Sequence, residues 1–291
     1  MNKSERELLN EILQCPVCRS SLRPFGCGPE SADLASDDET ARDSGWKCSA
    51  CGTNFGFRDG RPDFLLPKPI AVEIEVTVGA EPDIPERVLK APPAQIGRLP
   101  PPTRTGAIAL DFGCGNQVAR RALEEAGYRY VGVDAGDPGT FMWGDAHRLP
   151  LADDSIDLVY THVVMEFLRY PRLAVAEVAR VLRPGGAFAG TVGWMIPYVE
   201  RAYFSHSYVA VASLLEEAGL VPVYIAGDPD WSGLEAQFDF GLFPRTPKWL
   251  ARILAWPFVS AARIWWRLAG RSRGELDRRT SAAILFEATK T

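Results

Sequence analysis

The stretch "LDFGCGNQVARRALEEAGYRYVGVDAG" (Leu110 to Gly136) starts apolar, passes through Gly113 and Gly115, continues with helical spacing and returns to an apolar run that ends at Asp134. It reads as a strand, a glycine turn, a helix and a second strand with a carboxylate at its tip. A dinucleotide site wants Gly-x-Gly-x-x-Gly, so that a pyrophosphate can settle on the helix N-terminus. Val118 stands where the third glycine would fall, which leaves that anion cradle incomplete. Asp111 closes the first strand, and Asp134 closes the second 23 residues later, where a carboxylate can take two ribose hydroxyls.

The pattern continues on both sides. Apolar strand-like runs at 107–112, 130–133, 156–160, 187–192 and 221–226 alternate with helical stretches at 118–126, 173–182 and 209–218. Such alternation predicts an α/β fold, a doubly wound parallel sheet with helices on both faces. In the middle helix Pro171 suits the first turn, and "RPGG" stops it, with Gly185 free to turn left-handed. The final run, "SAAILFEATKT", is a terminal strand with no helix after it. A ligand with an adenosine and no phosphate needs the close backbone approach of the glycines without the full cradle. S-adenosylmethionine is such a ligand.

From about residue 106 to 226 the chain resembles the class I S-adenosylmethionine-dependent methyltransferases. "LDFGCG", "YVGVD", "WGDAHRLPLADDSIDLVYTHVVMEF" and "EVARVLRPGGAFAG" carry the resemblance in order. It implies a Rossmann-like methyltransferase sheet with a terminal antiparallel strand. It also implies that Asp111, Gly113 and Gly115 line the methionine side of the cofactor and Asp134 takes the ribose. Asp145 would face the adenine amine, Ala146 and His147 would give backbone beside the ring, and Thr161 and His162 would lie near the sulfonium. Two departures stand out: Asn116 and Gln117 replace the usual small residue and glycine, and Phe167 replaces a frequent histidine. Methyl transfer is an in-line displacement governed by positioning and desolvation. A general base is needed only for a hydroxyl or a protonated amine. His206 and His162 are the candidate catalytic residues, with Tyr198, Tyr203 and Tyr208 as pocket walls.

Five of the six cysteines precede residue 52, and four form two Cys-x-x-Cys pairs, Cys15/Cys18 and Cys48/Cys51. In a reducing compartment that spacing favours metal over disulfide, and two such knuckles complete a tetrahedral Zn site. Cys27 reads as a spare loop thiol. With the phrase "FGFRDGRPDFLLP" that follows, the segment resembles the small zinc ribbons related to activators of tRNA and protein methyltransferases. A closed four-sulfur site leaves no position for substrate, so its expected role is structural or adapter-like. Nine prolines between residues 67 and 105 predict a linker. The expected domains are a zinc ribbon at 1–66, the linker at 67–105 and a methyltransferase domain at 106–291.

The polar start, "MNKSERELLNEILQC", lacks the apolar run of a secretory signal, and a cytoplasmic location is expected. Residues 240–274 hold seven basic residues and no acid, which leaves the rest of the chain with 25 basic residues against 37 acidic. Four tryptophans, Trp249, Trp256, Trp265 and Trp266, fall in the same segment. Arginines and Pro257 rule against a transmembrane span. The first expectation for this helical insert at about 240–275 is a lid or homodimer face; the other is peripheral contact with an anionic membrane. The acceptor expected is a small molecule or glycan precursor. An RNA methyltransferase is the alternative suggested by the ribbon, although the acidic balance and the acidic loop from Asp33 to Asp43 oppose nucleic acid. A non-catalytic S-adenosylmethionine-binding adapter is the third reading.

Overall fold

The computed structural model describes residues 1–26, 44–67, 84–89, 97–196, 201–238 and 247–291. Cys27, the acidic loop, the alternating run "IAVEIEVTV", Tyr198 and residues 240–246 of the insert lie outside them. The central feature is a seven-stranded sheet built from β6 (Ile108–Phe112), β7 (Arg129–Asp134), β8 (Met142–Trp143), β9 (Ile156–His162), β10 (Leu182–Gly193), β11 (Leu220–Gly227) and β12 (Ala283–Lys290). Its order is β11-β12-β10-β9-β6-β7-β8. The terminal strand β12 runs antiparallel to both β10 and β11, while β6, β7 and β8 are mutually parallel. This is the α/β sheet with a terminal antiparallel strand that the sequence predicts. Two compact units divide the chain, one of residues 1–77, 101–160 and 176–186, the other of residues 78–100, 161–175 and 187–291.

In the first unit, Asn2 and Glu5 form a reciprocal capping box that starts α1 (Lys3–Ile12), whose Leu8, Leu9 and Ile12 are buried. A small antiparallel sheet of β1 (Leu22–Phe25), β2 (Gly45–Cys48) and β3 (Asn54–Phe55) follows. Trp46 anchors it, with its ring 5.6 Å from Phe57 and 5.5 Å from Phe64 and its indole N–H donating to Asn10 at 2.9 Å. After the hairpin of β4 (Phe57–Arg58) and β5 (Arg61–Pro62), the Phe64 amide donates to the Trp143 carbonyl at 2.9 Å and Asp63 bridges Trp143 in parallel. The ribbon thus covers the exposed side of β8, an edge that would otherwise invite foreign strands.

Every residue of β6 is buried, as expected for a strand covered on both faces. Asp157 on β9 holds the start of β6 by accepting from the Ile108 amide at 2.8 Å and pairing with Arg104 at 2.7 Å. Gly132 on β7 is required by packing, since a Cβ there would lie 2.5 Å from the Tyr130 hydroxyl and 2.8 Å from the Cys114 sulfur. The helix after the glycine turn is α3 (Arg120–Glu125), two residues shorter at its start than its sequence suggests.

In the second unit, β10, β12 and β11 form the sheet core around Phe188 and Phe286, whose rings meet edge-on at 4.9 Å. The proline-rich stretch carries one helical turn, α2 (Glu86–Leu89), that contacts β11. Helix α4 (Pro171–Val181) ends where expected, and Gly185 takes φ +78°. Ser207 caps α5 (Tyr208–Glu217), which packs on β11. The insert forms α6 (Gly233–Ala236), α7 (Lys248–Leu268) and α8 (Arg273–Thr280) before β12. Among the described residues no helix is long and apolar enough to cross a membrane.

The first departure from the usual glycine turn has a structural solution. Gln117 sits where a glycine is customary and adopts φ +64° itself. Its amide donates to the Gly139 carbonyl at 2.9 Å and its oxygen accepts from Arg120 at 3.2 Å, and these bonds offset the left-handed strain. Gln117→Ala should therefore lose about 1 to 2 kcal/mol in urea denaturation, because the strain stays and the anchor goes. Gln117→Gly, which relieves the strain, should lose less, and the reverse ranking would contradict this account.

Candidate functional site

The glycine turn begins at the carboxyl end of β6, where Gly113 has φ +74° and Gly115 has φ +48°. Left-handed backbone in two of three residues is what the glycines permit. The Gly113 and Cys114 amides both donate to the Val133 carbonyl, at 2.9 and 3.1 Å, so the turn is tied across to β7. Asp134 completes the tie. One of its carboxylate oxygens accepts from the Gly115 amide at 3.0 Å, and the other accepts from the Gly136 and Asp137 amides at 2.7 and 3.1 Å.

Asp111 lies behind the turn, 3% exposed, and accepts from the Tyr130 hydroxyl at 3.0 Å. Burial pushes its carboxyl up to about 6, with the Asp134 charge adding to the effect and the Tyr130 hydrogen bond opposing it. A buried carboxyl of this kind gains from a cation nearby. Cys114 is inert by comparison, buried against the Thr140 hydroxyl at 3.2 Å with its thiol pushed up to about 11 by burial. Farther along the same unit, Asp145 accepts from the His147 amide and faces its ring nitrogen at 2.7 Å, and the imidazole holds this carboxyl below the usual range. Ala146 lies between them.

The segment that follows Asp145 is held from the ribbon. Arg148 donates to the carbonyls of Pro16 at 2.6 Å and Val17 at 3.0 Å, inside the first cysteine knuckle. Glu177 on α4 accepts from the Leu149 amide at 3.0 Å and pairs with Arg19 of the ribbon at 2.6 Å and Arg180 at 2.8 Å. Burial pushes the Glu177 carboxyl up, but the two guanidiniums prevail and hold it below the usual range. In the knuckles themselves, the sulfurs of Cys15, Cys18, Cys48 and Cys51 all lie within 4.8 Å of one another. Four sulfurs at 2.3 Å from one tetrahedral ion stand about 3.8 Å apart; Cys15 and Cys51 are separated by 3.8 Å and Cys18 and Cys48 by 3.4 Å. The donor set fits a tetrahedral, thiolate-loving ion.

In the second unit, Thr161 is fully buried and His162 is exposed at the carboxyl end of β9. The next residue, Val163, has φ +54° with its amide donating to the Thr191 carbonyl. A β-branched residue in left-handed conformation is strained, and such strain concentrates where a side chain must be aimed. Partial burial holds His162 below its usual range while Asp228, at the end of β11, draws it upward. Asp228 also borders a cavity of about 290 Å³ whose walls include Met195, Leu234, Phe258 and Arg263. His206 is placed differently from His162. It is 4% exposed, and its Nε2 donates to the Met165 carbonyl at 3.2 Å, so that nitrogen holds its proton and cannot accept one.

Glu166, which the sequence marks only as an acid within the apolar run "VVMEF", is 3% exposed. One carboxylate oxygen accepts from the Gly193 amide, and the other is buried without a hydrogen-bond partner among the described residues. Burial pushes the carboxyl up. Its backbone carbonyl accepts from the Tyr203 amide at 2.7 Å, which draws Tyr203 and Phe204 onto the same small cavity.

Residues 110–190 match the methyltransferase domain family. An uncharacterized methyltransferase of Mycobacterium avium is 36% identical over 107 residues, covering 32% of this chain and 42% of that protein. The chain thus spans less than half the length of that relative. An uncharacterized chloroplastic methyltransferase of Arabidopsis thaliana is 25% identical over 266 residues, covering 72% of this chain and 73% of the other. Among solved structures, the complex between the Haloferax volcanii Trm112 methyltransferase activator and a methyltransferase aligns over 70% of this chain and 87% of that one, at 21% identity and a TM-score of 0.46.

Glu166→Ala should leave the Gly193 amide unpaired and cost about 1 to 3 kcal/mol of stability. Because the folded carboxyl is raised, its contribution is full below the ordinary carboxylate range and is lost as pH rises through the raised value. Denaturation of Glu166→Gln across that range should show a flatter pH dependence than the wild type. An unchanged profile would remove Glu166 as its source.

Proposed function

We propose that this chain transfers a methyl group from S-adenosylmethionine to a small-molecule or glycan-type acceptor in the reducing cytoplasm. The observation that carries the reading is the glycine turn locked by Asp134 beside the buried carboxyl of Asp111. Gly113 and Gly115 admit the cofactor backbone, Asp134 accepts its ribose hydroxyls on remaining lone pairs, and Asp111 offers its buried charge to the ammonium group. Asp145 and Ala146 bound the adenine. The cofactor, when bound, supplies an electrophilic methyl on a sulfonium.

The residues of this chain do the positioning. His162 is the histidine we assign to the acceptor side, with Thr161 buried at its base and Asp228 moderating its charge. A neutral imidazole can take a proton from an acceptor hydroxyl. His206, with Nε2 already donating, positions the segment from Met165 to Phe204 instead. The ribbon docks within its own unit through Arg148 and Arg19, which supports a structural role for it over substrate reading. The net charge of −5 likewise disfavours RNA.

Calorimetric titration with S-adenosylhomocysteine tests the cofactor assignment. Asp134→Ala should weaken binding by about 1 to 3 kcal/mol. The ligand ammonium favours ionised Asp111, so affinity in the wild type should rise with pH through about 6 and then level. Asp111→Asn should remove that rise; a wild-type pH profile in this variant would refute its role.

We also propose that Cys15, Cys18, Cys48 and Cys51 hold one zinc as thiolates. Backbone and side-chain donors of Ser20 bring the exposed Cys18 down to about 6, whereas burial pushes Cys15 up to about 12, and a bound cation is what ionises such a thiol. Elemental analysis should find about one zinc per chain, retained in Cys114→Ser and lost in Cys48→Ser. Full zinc in the latter would overturn the assignment.

A further inference from the structure

Helix α7 buries only Ala251 and Ala255. These two lie in line with Val259, Ala262 and Trp266 at spacings of three and four, which marks the side that packs on its own unit, against α6 and α8. The opposite side is neither polar nor small. Ile253 is 59% exposed, Ile264 59%, Trp265 69% and Leu268 78%, and Leu254 and Phe258 extend the same apolar face. Lys248, Arg252 and Arg267 occupy one flank together with Trp249 and Trp256, and no acid occurs from residue 247 to 274.

An outward apolar face of this extent needs an occupant. A lid would turn its large side chains toward the cavity; here α7 meets the cavity with Val259, Ala262 and Arg263 and with Phe258, while Ile253, Ile264, Trp265 and Leu268 stay off it. A second copy would set two acid-free basic helices against each other with no counter-charge. Arg252 already reaches Glu235 at 3.6 Å, which leaves Lys248 and Arg267 as the cations the flank turns outward. An anionic bilayer supplies acyl chains for the apolar face and headgroup phosphates for those two. Tryptophans beside the basic residues fit the level where chains meet headgroups.

We propose that α7 is an interfacial helix that seats this chain on an anionic lipid surface, with Ile253, Ile264, Trp265 and Leu268 among the acyl chains and Lys248 and Arg267 at the headgroups. This is independent of the methyl-transfer reading.

The test uses the full chain with vesicles of phosphatidylcholine alone or mixed with phosphatidylglycerol. Co-sedimentation should occur with the anionic vesicles and weaken with salt, and phosphatidylcholine brominated on its acyl chains should quench tryptophan emission. Ile264→Glu/Trp265→Glu should reduce partitioning by about tenfold or more. Lys248→Gln/Arg267→Gln should do so by about tenfold, leaving the apolar face intact. S-adenosylhomocysteine affinity, which reports folding, should be unchanged in both variants; its absence in the wild type would undermine the cofactor reading and leave this one standing. The proposal is overturned if the chain stays in the supernatant, if it binds without acyl-chain quenching, or if both variants partition like the wild type. A dimer in sedimentation equilibrium that Ile264→Glu/Trp265→Glu dissolves, with no vesicle binding, would assign the face to a second copy.

Discussion

The carboxylate of Asp134 is the interaction on which the candidate site depends. It stands at the end of β7 and gathers amides from two segments, Gly115 of the glycine turn and Gly136 and Asp137 of the loop beyond β7. Two loops that leave adjacent parallel strands are thereby fixed to one side chain. Hydrogen bonds to a charged acceptor are worth about 1.5 to 3 kcal/mol each in net stability, well above neutral ones. A loop so constrained has little ordering left to lose when a ligand arrives, which is the physical content of pre-organisation. Gly132, packed against Tyr130 and Cys114, leaves room for the Tyr130 hydroxyl, which donates to Asp111 at 3.0 Å.

A second constraint comes from the ribbon. A module of this size has too little core to fold alone without help, and it obtains help from two directions: the four thiols and the edge of the sheet. Arg148 links those two supports, because its guanidinium binds carbonyls inside the first cysteine knuckle while its backbone continues the segment that holds Asp145. Glu177 then ties that segment to α4 and to Arg19. Breaking a buried charged pair of this kind by removing one partner is costly, since the other charge stays buried. The integrity of the knuckle and the placement of the segment from Asp145 to Leu149 are therefore coupled through named bonds.

The sheet was legible in the sequence because its signals are local. Gly113, Gly115, Asp134, Pro171 and the "RPGG" stop each act within a few residues, and β6, β7, β9, β10, β11 and β12 overlap the apolar runs, whereas the two-residue β8 lies at no run the sequence marked. The cysteine cluster was legible from spacing for the same reason. What escaped depends on distant partners. Nothing local announces that Gln117 would take a left-handed backbone held by Gly139, that Val163 would be strained, or that one oxygen of Glu166 would be buried without a partner among the described residues. His206 and His162 looked alike as loop histidines; the hydrogen bond from His206 to the Met165 carbonyl, which joins residues 41 apart, distinguishes them. The insert illustrates the same limit, since composition identified a basic, tryptophan-rich helix but not which of its faces would be left outward.

The proposed methyl transfer draws on Asp111, Gly113, Gly115 and Asp134 of the first unit and, separately, on His162 of the second. The central claim is that these groups move a methyl group and do more than hold a nucleoside. The most direct measurement is to incubate the purified chain with S-adenosylmethionine carrying an isotopically labelled methyl and a cell extract that retains its membranes, followed by mass spectrometry. The account predicts a labelled product whose amount matches the S-adenosylhomocysteine released. Binding of S-adenosylhomocysteine without transfer of label to any component of the extract would contradict it and leave a cofactor-binding adapter in its place.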